Sequence, residues 1–173
     1  MLKEKMEKAL NEQINAELYS AYIYQSMAAY FEDVDLDGFA SWMDIQTEEE
    51  MFHARKIYDY INERGGRVKL KSIEEPPHEW DSPLAAFQAA YDHEKKVTAM
   101  IDDLANLSEE FKDRASYSFL QWFVDEQVEE EDTVSSIVEK LKMVGDSGSG
   151  LFLMNNELGQ RPAGTAGDES EAE

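Results

Sequence analysis

The chain has 173 residues, a formal net charge of −22 and no cysteine. A chain of this length is normally one domain with enough core to fold alone. Without cysteine, disulfides, thiolate metal sites and cysteine nucleophiles are excluded. No basic cluster offsets the acidity, so direct binding to nucleic acid or to an anionic membrane is not expected. A surface this acidic suits cations.

Membrane insertion and export are not expected from the sequence. The longest uncharged run, residues 18–31, is too short to span a bilayer. The first five residues are Met-Leu-Lys-Glu-Lys, which are charged and lack the apolar core of a signal peptide. We therefore predict a soluble cytoplasmic protein.

Apolar residues recur with helical spacing in four long segments. The first two predicted helices cover about residues 2–32 and 36–64. The third begins after Asp81-Ser82 with Pro83 at its first position, and the fourth begins near Asp113. A short fifth helix is predicted at about 151–158. Residues 1–158 then form the domain, and residues 159–173 form an acidic tail that is predicted to be disordered.

The connections between these helices predict the architecture. Short joins near 33–35 and 108–112 make two antiparallel helical hairpins. The long segment 67–80, which contains Pro76-Pro77, can carry the chain back along the bundle. The predicted fold is therefore all-α, a four-helix bundle with one long crossover and a short fifth C-terminal helix.

Polar residues interrupt the apolar stripes at matching positions. The same number of residues separates Glu17 from Glu50 as separates Glu94 from Gln127, and each pair is centred on a hairpin turn. Residues equidistant from a turn lie at equal depth in an antiparallel hairpin. The sequence therefore predicts one polar layer across the middle of the bundle.

This polar layer has the composition of a metal site. His53 lies one turn beyond Glu50, and Glu130 lies one turn beyond Gln127, so each pair shares a helix face. Burying four carboxylates together without a cation costs many kcal/mol or forces protonation. One imidazole with several carboxylates suits iron, manganese or zinc. Because Glu50 can bridge two ions, a dinuclear centre is favoured.

Four stretches resemble those of the non-haem ferritins of bacteria and archaea, and the resemblance covers nearly the whole chain. They are Asn-Glu-Gln-Ile-Asn-Ala-Glu at 11–17, Glu-Glu-Glu-Met-Phe-His-Ala at 48–54, Phe-Leu-Gln-Trp-Phe at 119–123 and Glu-Gln-Val-Glu-Glu-Glu at 126–131. The resemblance implies ferritin-like Fe(II) oxidation by O2 or hydrogen peroxide. It also implies mineral storage in a homo-oligomeric cage of 24 subunits, without haem.

The same resemblance implies the ligands of a di-iron centre, with one iron at Glu17, Glu50 and His53 and the second at Glu50, Glu94 and Glu130, with Gln127 close by. It implies a third iron site at Glu49, Glu126, Glu129 and Glu130, although such acidic runs also form ordinary solvated helix faces. Tyr24 matches a tyrosine beside the centre in such ferritins, with either a redox role or a packing role. His93 points about 100° away from Glu94, which favours the surface.

Three related classes of protein would have other sequence features. A bacterioferritin would carry a second Glu-x-x-His motif and haem, but Glu130 stands where its second histidine would be. A rubrerythrin-like peroxidase needs cysteine ligands. The small DNA-protecting relatives build their site between subunits and often have a basic tail. The tail of this chain is acidic, and its set of candidate ligands is complete within one subunit. A helical bundle that binds metal without turnover remains an alternative, which oxygen consumption on adding Fe(II) would distinguish.

Overall fold

A computed structural model describes residues 2–162, which form five α-helices and no strand. The helices are α1 Glu4–Asp33, α2 Asp37–Glu63, α3 Pro83–Glu110, α4 Arg114–Val144 and α5 Gly148–Leu158. Helix α1 packs along α2, α3 packs along α4, α1 also contacts α3, and α5 packs against α2 and α4. The predicted four-helix bundle with a fifth short helix is confirmed. None of the five helices is both long and apolar enough to cross a membrane.

The helix ends follow the local chemistry of the sequence. Ser82 Oγ accepts a hydrogen bond from the Ala85 backbone N–H at the start of α3. The turn between α1 and α2 puts Asp35 in the left-handed region, with φ of 58°, and Leu36 N–H bonds back to Phe31 O. Helix α5 begins before the predicted start at residue 151, because Ser147 Oγ accepts from Gly150 N–H and caps an earlier turn.

The crossover, residues 64–82, runs along α1 as the sequence predicts. Near its start, Asn11 Nδ2 donates to Arg67 O at 3.0 Å, and near its end, Ser26 Oγ donates to Pro77 O at 2.6 Å. Asn11 and Ser26 are separated by roughly 22 Å along α1 at about 1.5 Å per residue. The crossover therefore carries the chain from one end of the bundle toward the other.

The core consists of two apolar clusters with a polar layer between them. One cluster includes Phe31, Phe39 and Phe87, and the other includes Leu10 and Ile57. On α1 and α2, the intervening buried positions are polar apart from Ala21 and Ala54. The buried side chains of the layer are Glu17, Gln46, Glu50, His53, Glu94, Gln127 and Glu130. This is the layer predicted from the hairpin spacing.

Helix α5 is docked on the first turn of α2. The α2 N-cap residue, Leu36, provides no side-chain hydrogen bond. Asn155 Oδ1 of α5 takes this role, accepting from Gly38 N–H at 2.8 Å and from Phe39 N–H at 3.2 Å. A Cβ on Gly38 would lie 1.8 Å from Asn155 O, so only glycine permits this approach. The docking brings the chain after α5 back toward the polar layer.

Candidate metal centre

Two helices bring two carboxylates and one imidazole together in the polar layer. Glu17 comes from α1, and Glu50 and His53 come from consecutive turns of α2. Each offers one possible ligand atom, and these three atoms lie within 4.8 Å of one another. His53 Nδ1 is 3.4 Å from Glu50 Oε2. All three residues are almost completely buried, so the group is a small N,O-donor pocket shielded from solvent.

Glu17 has an oxygen without a protein partner. Its Oε1 accepts a hydrogen bond from Gln13 Nε2 at 2.8 Å, whereas its Oε2 is buried and has no hydrogen-bond partner among residues 2–162. Burial, followed by the nearby charge of Glu50, raises the pKa of Glu17 from 4.5 to about 8. Such a buried acceptor is costly unless it meets a proton or a cation. The pocket therefore fits a metal ion.

His53 also belongs to a second group. Its possible ligand atoms lie within 4.8 Å of those offered by Glu126 and Glu130 of α4. His53 Nε2 is 3.9 Å from Glu126 Oε2, and the Glu126 side chain is partly exposed. The resemblance places Glu126 in a third site with Glu49, Glu129 and Glu130. In the structure Glu126 also lies close to His53, which is not among the residues of that site.

Glu94 is held by hydrogen bonds within the layer. Its Oε1 accepts from the Tyr24 hydroxyl, and its Oε2 accepts from Gln127 Nε2 at 3.3 Å. Contact between Glu94 and Gln127 is what the equal-depth register of the second hairpin predicts. Glu94 is in neither of the two compact donor groups. Burial raises the pKa of its carboxyl, and the hydrogen bonds from Tyr24 and Gln127 act in the opposite direction.

The four main helices concentrate negative charge in a small volume. Burial, and then the charge of Glu94, raises the pKa of Glu50 well above its usual value. Burial also raises the pKa of Glu130, with Glu50 and Glu94 adding to the shift. Without a cation, these shifts favour the protonated form of the layer carboxyls. A bound metal ion would replace these protons.

Gln46 is a member of the layer to which the sequence assigns no role. Its Nε2 donates to Glu130 Oε2 at 2.8 Å and to Glu50 Oε1 at 3.3 Å, so it links α2 to α4. The available signal is its position on the apolar stripe of α2, one turn before Glu50. A buried glutamine at that position must find partners, and the carboxylates are within reach.

The residues implied in the third site are not drawn together as one group. Glu49 Oε2 accepts from Arg161 Nη2 at 2.5 Å, and Glu129 is exposed. Arg161 belongs to the predicted tail, but it also donates to Gln46 Oε1 at 3.0 Å. Residues 163–173 of that tail lie outside the described residues.

His93 differs from the expected surface residue. It is partly buried, and its Nε2 is 2.8 Å from Ser20 Oγ. Burial, and then the charge of Lys96, lowers its pKa to about 4, so the ring is neutral at pH 7. Its position beside Ser20 and against the Tyr24 ring depends on how α1 and α3 pack, which helix spacing alone does not show.

A family model for the ferritin-like domain matches residues 7–144. The chain belongs to the ferritin family. A bacterial non-heme ferritin of Bacteroides fragilis (strain 638R) is 45% identical over 161 residues, covering 93% of this chain and 100% of the relative. A probable bacterial non-heme ferritin-like protein of Haemophilus influenzae is 41% identical over 159 residues, covering 92% of this chain and 96% of its own length.

Solved ferritin structures have the same fold. The open-pore ferritin of the hyperthermophilic archaeon Archaeoglobus fulgidus superposes with a TM-score of 0.93 and is 53% identical, covering 94% of this chain and 100% of that one. A closed form of that ferritin, engineered by site-directed mutagenesis, has a TM-score of 0.94 at 52% identity, covering 95% and 100%. The resemblance to the ferritins is confirmed.

Proposed function

We propose that this ferritin oxidises Fe(II) to Fe(III) at a dinuclear centre inside each subunit and stores the ferric product as a mineral in a hollow homo-oligomer. The first iron is bound by Glu17, Glu50 and His53. The second is bound by Glu50, Glu94 and Glu130, with Gln127 beside it. Family membership supports iron handling in general, and the composition of the polar layer supports this ligand set.

The observation that carries the proposal is the buried Glu17–Glu50–His53 group. Its three donor atoms are close enough to bind one ion, and Glu17 Oε2 lacks a hydrogen-bond partner among the described residues. Imidazole and carboxylate donors together suit first-row divalent ions such as Fe(II). Ionised carboxylates this close together repel each other and are otherwise driven to protonate. A bound cation removes that repulsion.

The second position depends on Glu94, which is in neither of the two compact donor groups. Its oxygens are engaged by Tyr24 and Gln127, and both partners are hydrogen-bond donors that compensate a negative charge. A carboxylate held in this way retains a lone pair on each oxygen for a metal ion. Tyr24 and Gln127 therefore orient Glu94 rather than bind the ion themselves.

The reaction balances with two irons at adjacent positions. Each Fe(II) loses one electron, and O2 takes up the two electrons with two protons to form hydrogen peroxide. Hydrogen peroxide as oxidant takes up the same two electrons and two protons and forms two waters. Because metal binding displaces protons from the layer carboxylates, those protons are released before oxidation.

For storage, Fe(III) must leave the dinuclear centre after oxidation. Glu49, Glu126, Glu129 and Glu130 are proposed as a third iron position, since all-oxygen donors suit a hard ion. The acidic surface draws iron cations toward the protein. We propose an assembly of 24 subunits, as in cage ferritins, which would enclose the mineral.

The oxidation step is tested by loading the protein anaerobically with two Fe(II) per subunit, adding O2 and measuring its consumption. The parent protein is expected to consume O2 rapidly, and Glu50→Gln is expected to lose this phase because Glu50 contributes to both positions. Glu63→Gln is the matched control, an exposed carboxylate near the end of α2. Metal uptake without rapid oxygen consumption in the parent would instead indicate a bundle that only binds metal.

Negative-stain microscopy of the purified protein tests the storage compartment. Hollow shells that acquire electron-dense cores after aerobic iron addition are the expected result. Monomers or dimers that remain without cores would reject storage while leaving the oxidation step intact.

A further inference from the structure

Arg161 lies against the polar layer from outside the four main helices. It follows α5, and its Nη2 donates to Glu49 Oε2 at 2.5 Å. Its Nη1 donates to Gln46 Oε1 at 3.0 Å and lies 3.4 Å from Trp42 O. The guanidinium also lies over the Trp42 ring, 4.6 Å from its centroid. Planar stacking and forked hydrogen bonding are the contacts that arginine makes better than lysine.

The Arg161–Glu49 ion pair is largely removed from solvent. The two side chains are 20% and 16% exposed, whereas those of Arg55–Asp59, an ion pair at the surface of α2, are 66% and 47% exposed. A partly buried pair is screened less by salt and water than an exposed one. Glu49 is therefore neutralised by a cation from this same chain.

Arg161 also determines which way the Gln46 amide faces. A guanidinium only donates hydrogen bonds, so the amide must present its oxygen to Arg161. Its nitrogen is then directed to Glu130 Oε2 and Glu50 Oε1. A reversed amide would oppose its oxygen to these carboxylates. Arg161 therefore contacts Glu49 directly, and it is linked to Glu50 and Glu130 through the Gln46 side chain.

We propose that Arg161 is an internal cation that occupies Glu49 while the third position is empty, and that a metal ion must displace it in order to bind there. This inference rests on the third position of the proposed function. The guanidinium and the metal ion are both cations, and they compete for the negative charge of the same carboxylate. Displacement of Arg161 also releases Gln46 Oε1, so filling of the third position is linked to the hydrogen bonds of Glu50 and Glu130.

This competition makes the third position the last to fill. Glu17 Oε2 accepts no hydrogen bond from a cationic side chain among residues 2–162, so an ion entering there displaces no positively charged group from that atom. Glu49 already has a cation, and an arriving ion must break the contacts of Arg161 with Glu49 and Gln46. The chain thereby favours the dinuclear centre over the third position at low metal concentration.

Anaerobic calorimetric titration with Zn(II) tests the competition without any turnover. The titration compares the parent with Arg161→Gln, Glu49→Gln and Lys140→Gln. Lys140→Gln is the matched control, because it also removes one positive charge and an ion pair between α4 and α5, Lys140–Glu157. In Arg161→Gln, a third ion is expected to bind at least about tenfold more tightly than in the parent, which corresponds to about 1.4 kcal/mol.

The remaining variants separate the possible outcomes. Glu49→Gln should weaken the third ion, and Lys140→Gln should leave its affinity at the parent value. An unchanged third affinity in Arg161→Gln, with weakening in Glu49→Gln, would overturn the competition and leave the third position standing. If neither the parent nor any variant binds a third ion, both the third position and the competition are rejected. Binding of the first two ions still tests the dinuclear centre.

A purely structural role for Arg161 predicts a different result. If it only fastens the chain after α5, Arg161→Gln should lower the melting temperature, much as Lys140→Gln does, without tightening the third ion. That combination would also overturn the proposal. The expected result is a tighter third ion whatever the change in melting temperature.

Discussion

The Tyr24 hydroxyl donates a hydrogen bond to Glu94 Oε1 and joins α1 to α3 inside the buried layer. Burial, and then the charge of Glu94, raises the pKa of Tyr24 well above its usual value, so the hydroxyl keeps its proton. A retained proton makes Tyr24 a permanent donor. Its contact also lowers the pKa of Glu94, against the effect of burial.

Tyr24→Phe should weaken the second metal ion and leave the first nearly unchanged. Without the donor, the pKa of Glu94 rises further, so protons compete better with metal at that carboxylate. The loss should be several-fold and larger at lower pH, measured by anaerobic titration with Zn(II). Tyr22→Phe, at an exposed position of α1, is the control. An equal loss of both ions would contradict this account of Tyr24.

Metal-free protein should lose stability as the pH rises from about 5 to about 8. Glu17 has a pKa of about 8 in the folded chain and 4.5 as its ordinary value. Between these values the folded state holds a proton that the unfolded state has released. The free energy of unfolding therefore falls with rising pH, with a loss on the order of a few kcal/mol.

The variant Glu17→Gln isolates this effect from other titrating groups. Its neutral amide cannot ionise, so the metal-free variant should become more stable than the parent as the pH approaches 8. Saturating Zn(II) should raise the melting temperature of the parent, and more at higher pH, because fewer protons compete for the site. Parallel pH profiles for metal-free parent and variant would count against a protonated Glu17.

His53→Ala should remove the tightest metal site, because it deletes the only imidazole in the compact donor groups of the described residues. The first metal affinity is expected to fall at least about tenfold, since nitrogen donors favour late first-row ions. Glu130→Ala should retain the first ion and slow oxygen consumption. His78→Ala, in the exposed crossover, controls for loss of a histidine. Parent-like first affinity in His53→Ala would show that the ligand assignment is wrong.

Asn155→Ala should destabilise the docking of α5 on α2. The variant leaves the N–H groups of Gly38 and Phe39 without their side-chain acceptor, and loss of such a cap costs about 1 kcal/mol. Urea denaturation of the metal-loaded protein measures the change. Asn156→Ala, at an exposed neighbouring position, should have little effect. Equal stabilities of the two variants would argue against a capping role.

The sequence predicts the layer better than it predicts the contacts within it. Helix period and hairpin symmetry depend on backbone geometry alone, so the shared depth of Glu94 and Gln127 follows from residue spacing. The orientation of the Gln46 amide does not, because it depends on a donor from another element. Arg161 lies in a segment whose composition resembles a tail, and its contacts arise only after α5 has docked. His93 is likewise determined by packing between α1 and α3.

Anomalous diffraction from crystals loaded anaerobically with Fe(II) tests the central claim most directly. Two iron peaks are expected in the polar layer of each subunit, one among Glu17, Glu50 and His53 and the other among Glu50, Glu94 and Glu130. Both peaks should disappear or weaken in Glu50→Gln crystals, because Glu50 contributes to both positions. Iron found only at the surface, or a layer that remains without iron at saturating Fe(II), would contradict the dinuclear centre.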